Sequence, residues 1–107
     1  MRDDRERLRD ILEAIDAILK YARRGKNAFE SDELIQTWII HHLLILGEAA
    51  AGLSDSFREQ TDHMPWRKII GMRNILIHHY FGIDLKAVWD VVDIELPKLK
   101  QGIDTLL

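Results

Sequence analysis

The run Arg73-Asn74-Ile75-Leu76-Ile77-His78-His79-Tyr80 sets a guanidinium, a carboxamide, imidazoles and a phenol inside an otherwise apolar stretch. Guanidinium neutralises phosphate oxygens through a planar fork of N–H donors, and imidazole titrates near neutral pH. That set suits a site that holds a phosphodiester and moves protons. Placed on a helix at about 100° per residue with Arg73 at zero, Asn74 lies near 100°, His78 near 140° and Tyr80 near −20°. The polar groups then share an arc of roughly 160°, opposite Met72, Ile75 and Leu76, which are expected to face the core. Asn74 stands four residues before His78, a spacing that allows its amide to hold the ring in one tautomer. Any one of these residues alone reads as ordinary helix surface; the combination at one apolar face does not.

The charge distribution points to the same stretch. The chain carries a net charge of −3, yet from His63 to Ile83 it has no acidic residue and contains Arg67, Lys68 and Arg73. An electropositive segment in an acidic protein argues against broad nucleic-acid coating and for a local anion site. With 107 residues and no cysteine, one domain without disulfides or thiol chemistry is expected. No cofactor is expected. A metal site is not expected either, because adjacent His41 and His42 point about 100° apart on a helix and no His-x3-His or Glu-x-x-His spacing occurs. Burial against the partner helix is the expectation for that pair.

The elements that position the motif read as helices throughout, an all-α antiparallel bundle of four to five helices. Leu8, Ile11, Leu12, Ile15, Ile18, Leu19 and Ala22 form one stripe of a first helix over about residues 3–24, with Gly25 as its cap. A second helix is expected from the N-cap Ser31 to about Ala51, stopped by Gly52. Its apolar residues surround the axis, so burial on more than one side is expected and with it a homodimer. At Leu34 to Leu46 the apolar stretch is too short and too interrupted for a membrane span, which needs about 20 residues. Just beyond it, Glu48 either pairs with an arginine, Arg73 being one candidate, or faces water.

Residues 54–61 read as a short polar helix. Pro65 suits the first position of the motif helix, which Gly82 is expected to end with Tyr80 in its last turn. Asp84 caps a final helix that Pro97 should bend. The mixed-charge N-terminus lacks an apolar signal region, so a cytoplasmic protein is expected.

The motif Arg73-x4-His78-x-Tyr80, with Asn74 after the arginine, resembles that of the HepT-like branch of the HEPN superfamily. Leu46-Gly47-Glu48-Ala49-Ala50, Pro65-Trp66-Arg67 and Leu96-Pro97-x-Leu99 are similar to other segments of that family. The resemblance implies the toxin of a toxin-antitoxin pair: a metal-independent endoribonuclease whose two chains line one cleft, with Arg73 and His78 as catalytic residues and Asn74 in support. It further implies neutralisation by a minimal nucleotidyltransferase antitoxin of the MNT type, which transfers AMP onto Tyr80. The alternative is a catalytically weak HEPN module that docks a nucleotidyltransferase.

Overall fold

The computed structural model describes residues 3–79 and 82–107. The described residues contain helices and no strand. The chain forms α1 (Asp4–Ala22), α2 (Lys26–Ser31), α3 (Glu33–Ala51), α4 (Asp55–Gln60), α5 (Trp66–His78), α6 (Leu85–Asp90), a π-helical segment (Val91–Glu95) and α7 (Leu96–Leu106). Four long rods, α1, α3, α5 and the continuous α6–π–α7 run, make the bundle, and α2 and α4 are short connectors.

Local chemistry explains each start. Asp3 Oδ1 accepts from Glu6 N–H at 2.8 Å and caps α1. Asp4 then receives both the N–H and the hydroxyl of Ser54, each at 2.7 Å, which ties the beginning of α1 to the beginning of α4. Ser54 Oγ in turn accepts from Phe57 N–H.

The second long helix starts one residue later than the sequence suggested and is preceded by an extra turn. Ser31 ends α2 and donates its hydroxyl back to Asn27 O at 2.8 Å, whereas Asp32 is the cap of α3 and accepts from Leu34 N–H at 2.9 Å. Long-range packing holds α2: Phe29 is fully buried against Trp89, and Gln36 Nε2 donates to the terminal carbonyls of Phe29 and Glu30. The intervening Gly25, at φ 95°, makes the reversal that a side chain would strain.

Arg7 lies against Gly52, and Ala17 O receives the Trp38 indole N–H at 2.7 Å, so α1 and α3 run antiparallel. Gly47 meets Arg73 where α3 packs on α5, and Met64 and Lys68 meet Gly102 and Glu95, so α5 and the π–α7 run are antiparallel too. By length and composition α3 is apolar enough to cross a membrane. It is instead the central rod of the bundle, with Ile35, Ile39, Leu43 and Leu46 buried against α1 and α5.

Asp84 caps α6 as expected, accepting from Lys86 and Ala87 N–H. Pro97 acts through the turn before it. Lacking an N–H, it cannot bond Asp93 O, and the ladder widens over Val91–Glu95, where Leu96 N–H reaches Val91 O.

Candidate active site

The motif helix is anchored at its beginning by a buried polar relay. Trp66 is buried and donates its indole N–H to Thr61 Oγ1 at 2.9 Å, and Thr61 Oγ1 donates to Phe57 O at 2.7 Å. Pro65 stands just ahead of the first helical residue, one position earlier than expected. Ile69 and Leu76 carry the helix into the core. Ile75, assigned to the core from the wheel, is 53% exposed. Core contact is centred on Trp66, Ile69 and Leu76, and Ile75 lies about 120° from Ile69 and about 180° from Trp66. The helix ends at His78, with His79 N–H bonded to Ile75 O at 2.9 Å, short of the expected stop at Gly82. β-Branched and imidazole residues crowd this turn and favour helix weakly. Tyr80 lies outside the described residues.

Arg73 is held by a clamp from both α3 and its own helix. Its Nη1 donates to Glu48 Oε1 at 2.7 Å. Its Nε and Nη2 donate together to Asn74 Oδ1 at 3.1 and 2.9 Å. The pairing of Glu48 with Arg73 is therefore realised. The expected bond from Asn74 to His78 is not: the Asn74 carbonyl oxygen serves the guanidinium. A guanidinium carries five N–H donors. Three are engaged among the described residues, and one on each of Nη1 and Nη2 has no partner there.

Gly47 makes the clamp geometrically possible. A Cβ there would collide with Arg73 Cβ and would stand 2.9 Å from Arg73 Cγ. The glycine lets the arginine stem lie across α3 so that its head arrives beside Glu48 one residue on. The role of Gly47 is the part of the site that the sequence reading missed. Its signal was a glycine directly before a lone acid in an apolar helix.

His78 is exposed and makes no hydrogen bond among the described residues. Five residues beyond Arg73, it projects about 140° away around the helix. In one chain, the Arg73 guanidinium and the His78 ring therefore diverge. His41 is exposed and His42 half-buried, its Nδ1 2.8 Å from Trp38 O and its ring tilted 41° to the indole with centroids 4.3 Å apart. A carbonyl only accepts, so this bond places the proton on His42 Nδ1.

With the clamp in place, comparison with known proteins decides the family. The sequence profile described as "Ribonuclease HepT-like" matches residues 11–106.

The chain belongs to the HepT-like ribonuclease family.

A Methanocaldococcus jannaschii protein named "Putative RNase MJ1380" is 36% identical over 104 residues, covering 96% of this chain and 95% of that protein. "Probable ribonuclease HepT" of Thermococcus cleftensis is 35% identical over 106 residues, 98% of this chain and 96% of its own length. "Gamma-glutamylcyclotransferase and putative RNase MJ0434" of M. jannaschii is 40% identical over 97 residues, 90% of this chain but 44% of that longer protein. No solved structure matches the chain. Membership in the HepT-like family makes this chain a member of a ribonuclease group, with RNA as the substrate class.

Proposed function

We propose that the protein is the toxin of a toxin-antitoxin pair, a cytoplasmic, metal-independent endoribonuclease whose active site is composed by two copies of the chain. The observation that carries this reading is the clamped Arg73 guanidinium, which keeps an N–H on each of Nη1 and Nη2 while His78 projects elsewhere. An imidazole takes the proton of the ribose 2′-OH, O2′ attacks phosphorus, and the P–O5′ bond breaks as a second imidazole protonates O5′. Arg73 neutralises the charge that accumulates on the phosphorane oxygens. The products are a 2′,3′-cyclic phosphate and a 5′-hydroxyl. Two chains supply two imidazoles and two forks.

A surface on α3 supports the pairing of copies. Leu34, Trp38, His41, Ile45 and Glu48 are all exposed. Their spacing alternates four and three residues, the seam that lets one helix pack along another. Leu34 is 81% exposed, which an isolated chain has no means to cover. The seam ends on Glu48, so a surface that pairs copies of the chain adjoins the Arg73 clamp.

Regulation follows from Tyr80, two residues past His78. An MNT-type nucleotidyltransferase moves AMP from ATP onto the Tyr80 hydroxyl, with pyrophosphate leaving. The added anion and bulk then occupy the place of the RNA phosphate.

Mixing of chains tests the composite site. Excess His78→Ala chain mixed with parent chain should lower RNA cleavage below that of the parent homodimers remaining, because a mixed dimer holds one His78 imidazole where the reaction uses two. Undiminished cleavage in a mixture shown to contain mixed dimers contradicts it. Covalent neutralisation of a Tyr80→Phe protein through another residue contradicts the regulatory part.

A further inference from the structure

A groove of about 650 Å³ runs between α4 and α5, lined on the α5 side by Trp66, Arg67, Ile70, Gly71 and Asn74. These residues recur at helical spacing and define one face of the motif helix. The groove ends on Asn74, the residue whose Oδ1 holds Arg73, so it opens directly beside the phosphate fork. Its middle is open: a Cβ placed on Gly71 would meet nothing within 4 Å. At its far end Arg67 is exposed and has no ion pair or hydrogen bond among the described residues. Arg67 stands about 9 Å from Arg73 along the helix axis, a distance that a short stretch of single strand covers.

The two walls differ in charge. The α5 wall lies in the acid-free stretch and offers only Arg67 as a charged group. The opposite wall carries Asp55, Arg58, Glu59 and Asp62, of which Asp55 and Arg58 are paired at 2.7 Å. Carboxylates repel phosphate and accept from the N–H groups of base edges. That asymmetry orients a strand: phosphates along α5, bases toward α4.

We propose that the α4–α5 groove is a subsite for single-stranded RNA flanking the scissile bond, with Arg67 binding a neighbouring phosphate and the open surface at Gly71 accommodating the adjoining nucleotide. The inference rests on the ribonuclease reading and adds to it a defined path for the substrate away from Arg73.

The test is binding of a fluorescent single-stranded RNA oligonucleotide to the full chain in the His78→Ala background, followed against salt, with circular dichroism to confirm folding. Arg67→Ala should weaken binding about tenfold and reduce the magnitude of the log K against log salt slope by about 0.7, the loss of one phosphate contact on a single strand. Gly71→Leu should also weaken binding, with the slope unchanged because it adds bulk without charge. Unchanged affinity and slope in both variants would overturn the subsite. So would a lysine-rich peptide that binds this groove more tightly in Arg67→Ala while RNA binding is unaltered, which would assign the groove to a protein ligand. Parent protein assayed for cleavage in parallel keeps the two readings apart: absent cleavage removes the nuclease, and the binding arm still decides the groove.

Discussion

Glu48 Oε1 accepts from Arg73 Nη1 at 2.7 Å, joining α3 and α5 across 25 residues of sequence at the point where Gly47 lets the helices close on each other. Glu48 is 61% exposed in its side chain and Arg73 20%, so the pair contributes modestly to stability and mainly fixes where the guanidinium sits.

Glu48→Gln should therefore change stability by less than about 1 kcal/mol. It should lower RNA cleavage about tenfold through kcat, because the fork loses its anchor while the charge remains. Urea denaturation and steady-state kinetics on the same samples separate the two effects. A loss confined to stability would make Glu48 structural only.

Gly47→Ala sets two effects against each other. Helix propensity alone favours alanine by about 1 kcal/mol. The collision with the Arg73 stem opposes it, and overpacking of this kind costs about 1 to 3 kcal/mol. The account predicts net destabilisation together with loss of cleavage, read by thermal denaturation and activity. A more stable, fully active variant would show that the crossing has room.

Arg73→Lys keeps the charge and loses the planar fork that Asn74 and Glu48 hold in place. Cleavage should fall by at least about tenfold with folding intact, measured by initial rates and circular dichroism.

Ile45→Arg places charge on the exposed α3 seam, one step before Glu48. A charge buried in the proposed pairing surface should leave the chain monomeric at micromolar concentration by light scattering, and cleavage should fall with it. A monomeric parent protein would remove the seam from the account.

The sequence disclosed the rods because their apolar stripes are long and periodic: the Leu8 to Ala22 stripe and the Asp84 cap both appear where periodicity and capping chemistry put them. It misplaced the start of α3 because Ser31 and Asp32 are both good caps. The choice depends on Phe29 reaching Trp89, a contact 60 residues away. Glu48 with Arg73 was legible as a lone acid facing an acid-free arginine helix. The partner of Asn74 was not, since spacing allowed His78 and only the course of the Arg73 side chain over Gly47 brings the guanidinium to the amide. Ile75 was misassigned because a short wheel gives the direction of the core poorly when a helix has neighbours on two sides. The motif residues were found by type, and their relationships by structure.

The most direct measurement is cleavage of single-stranded RNA by purified parent and His78→Ala proteins with EDTA present, with the 3′ ends of the products identified. The account predicts cutting by the parent to 2′,3′-cyclic phosphate ends and a rate lower by about 10² to 10⁴ in the variant. Equal cutting by both proteins, or none by unmodified parent, would contradict it.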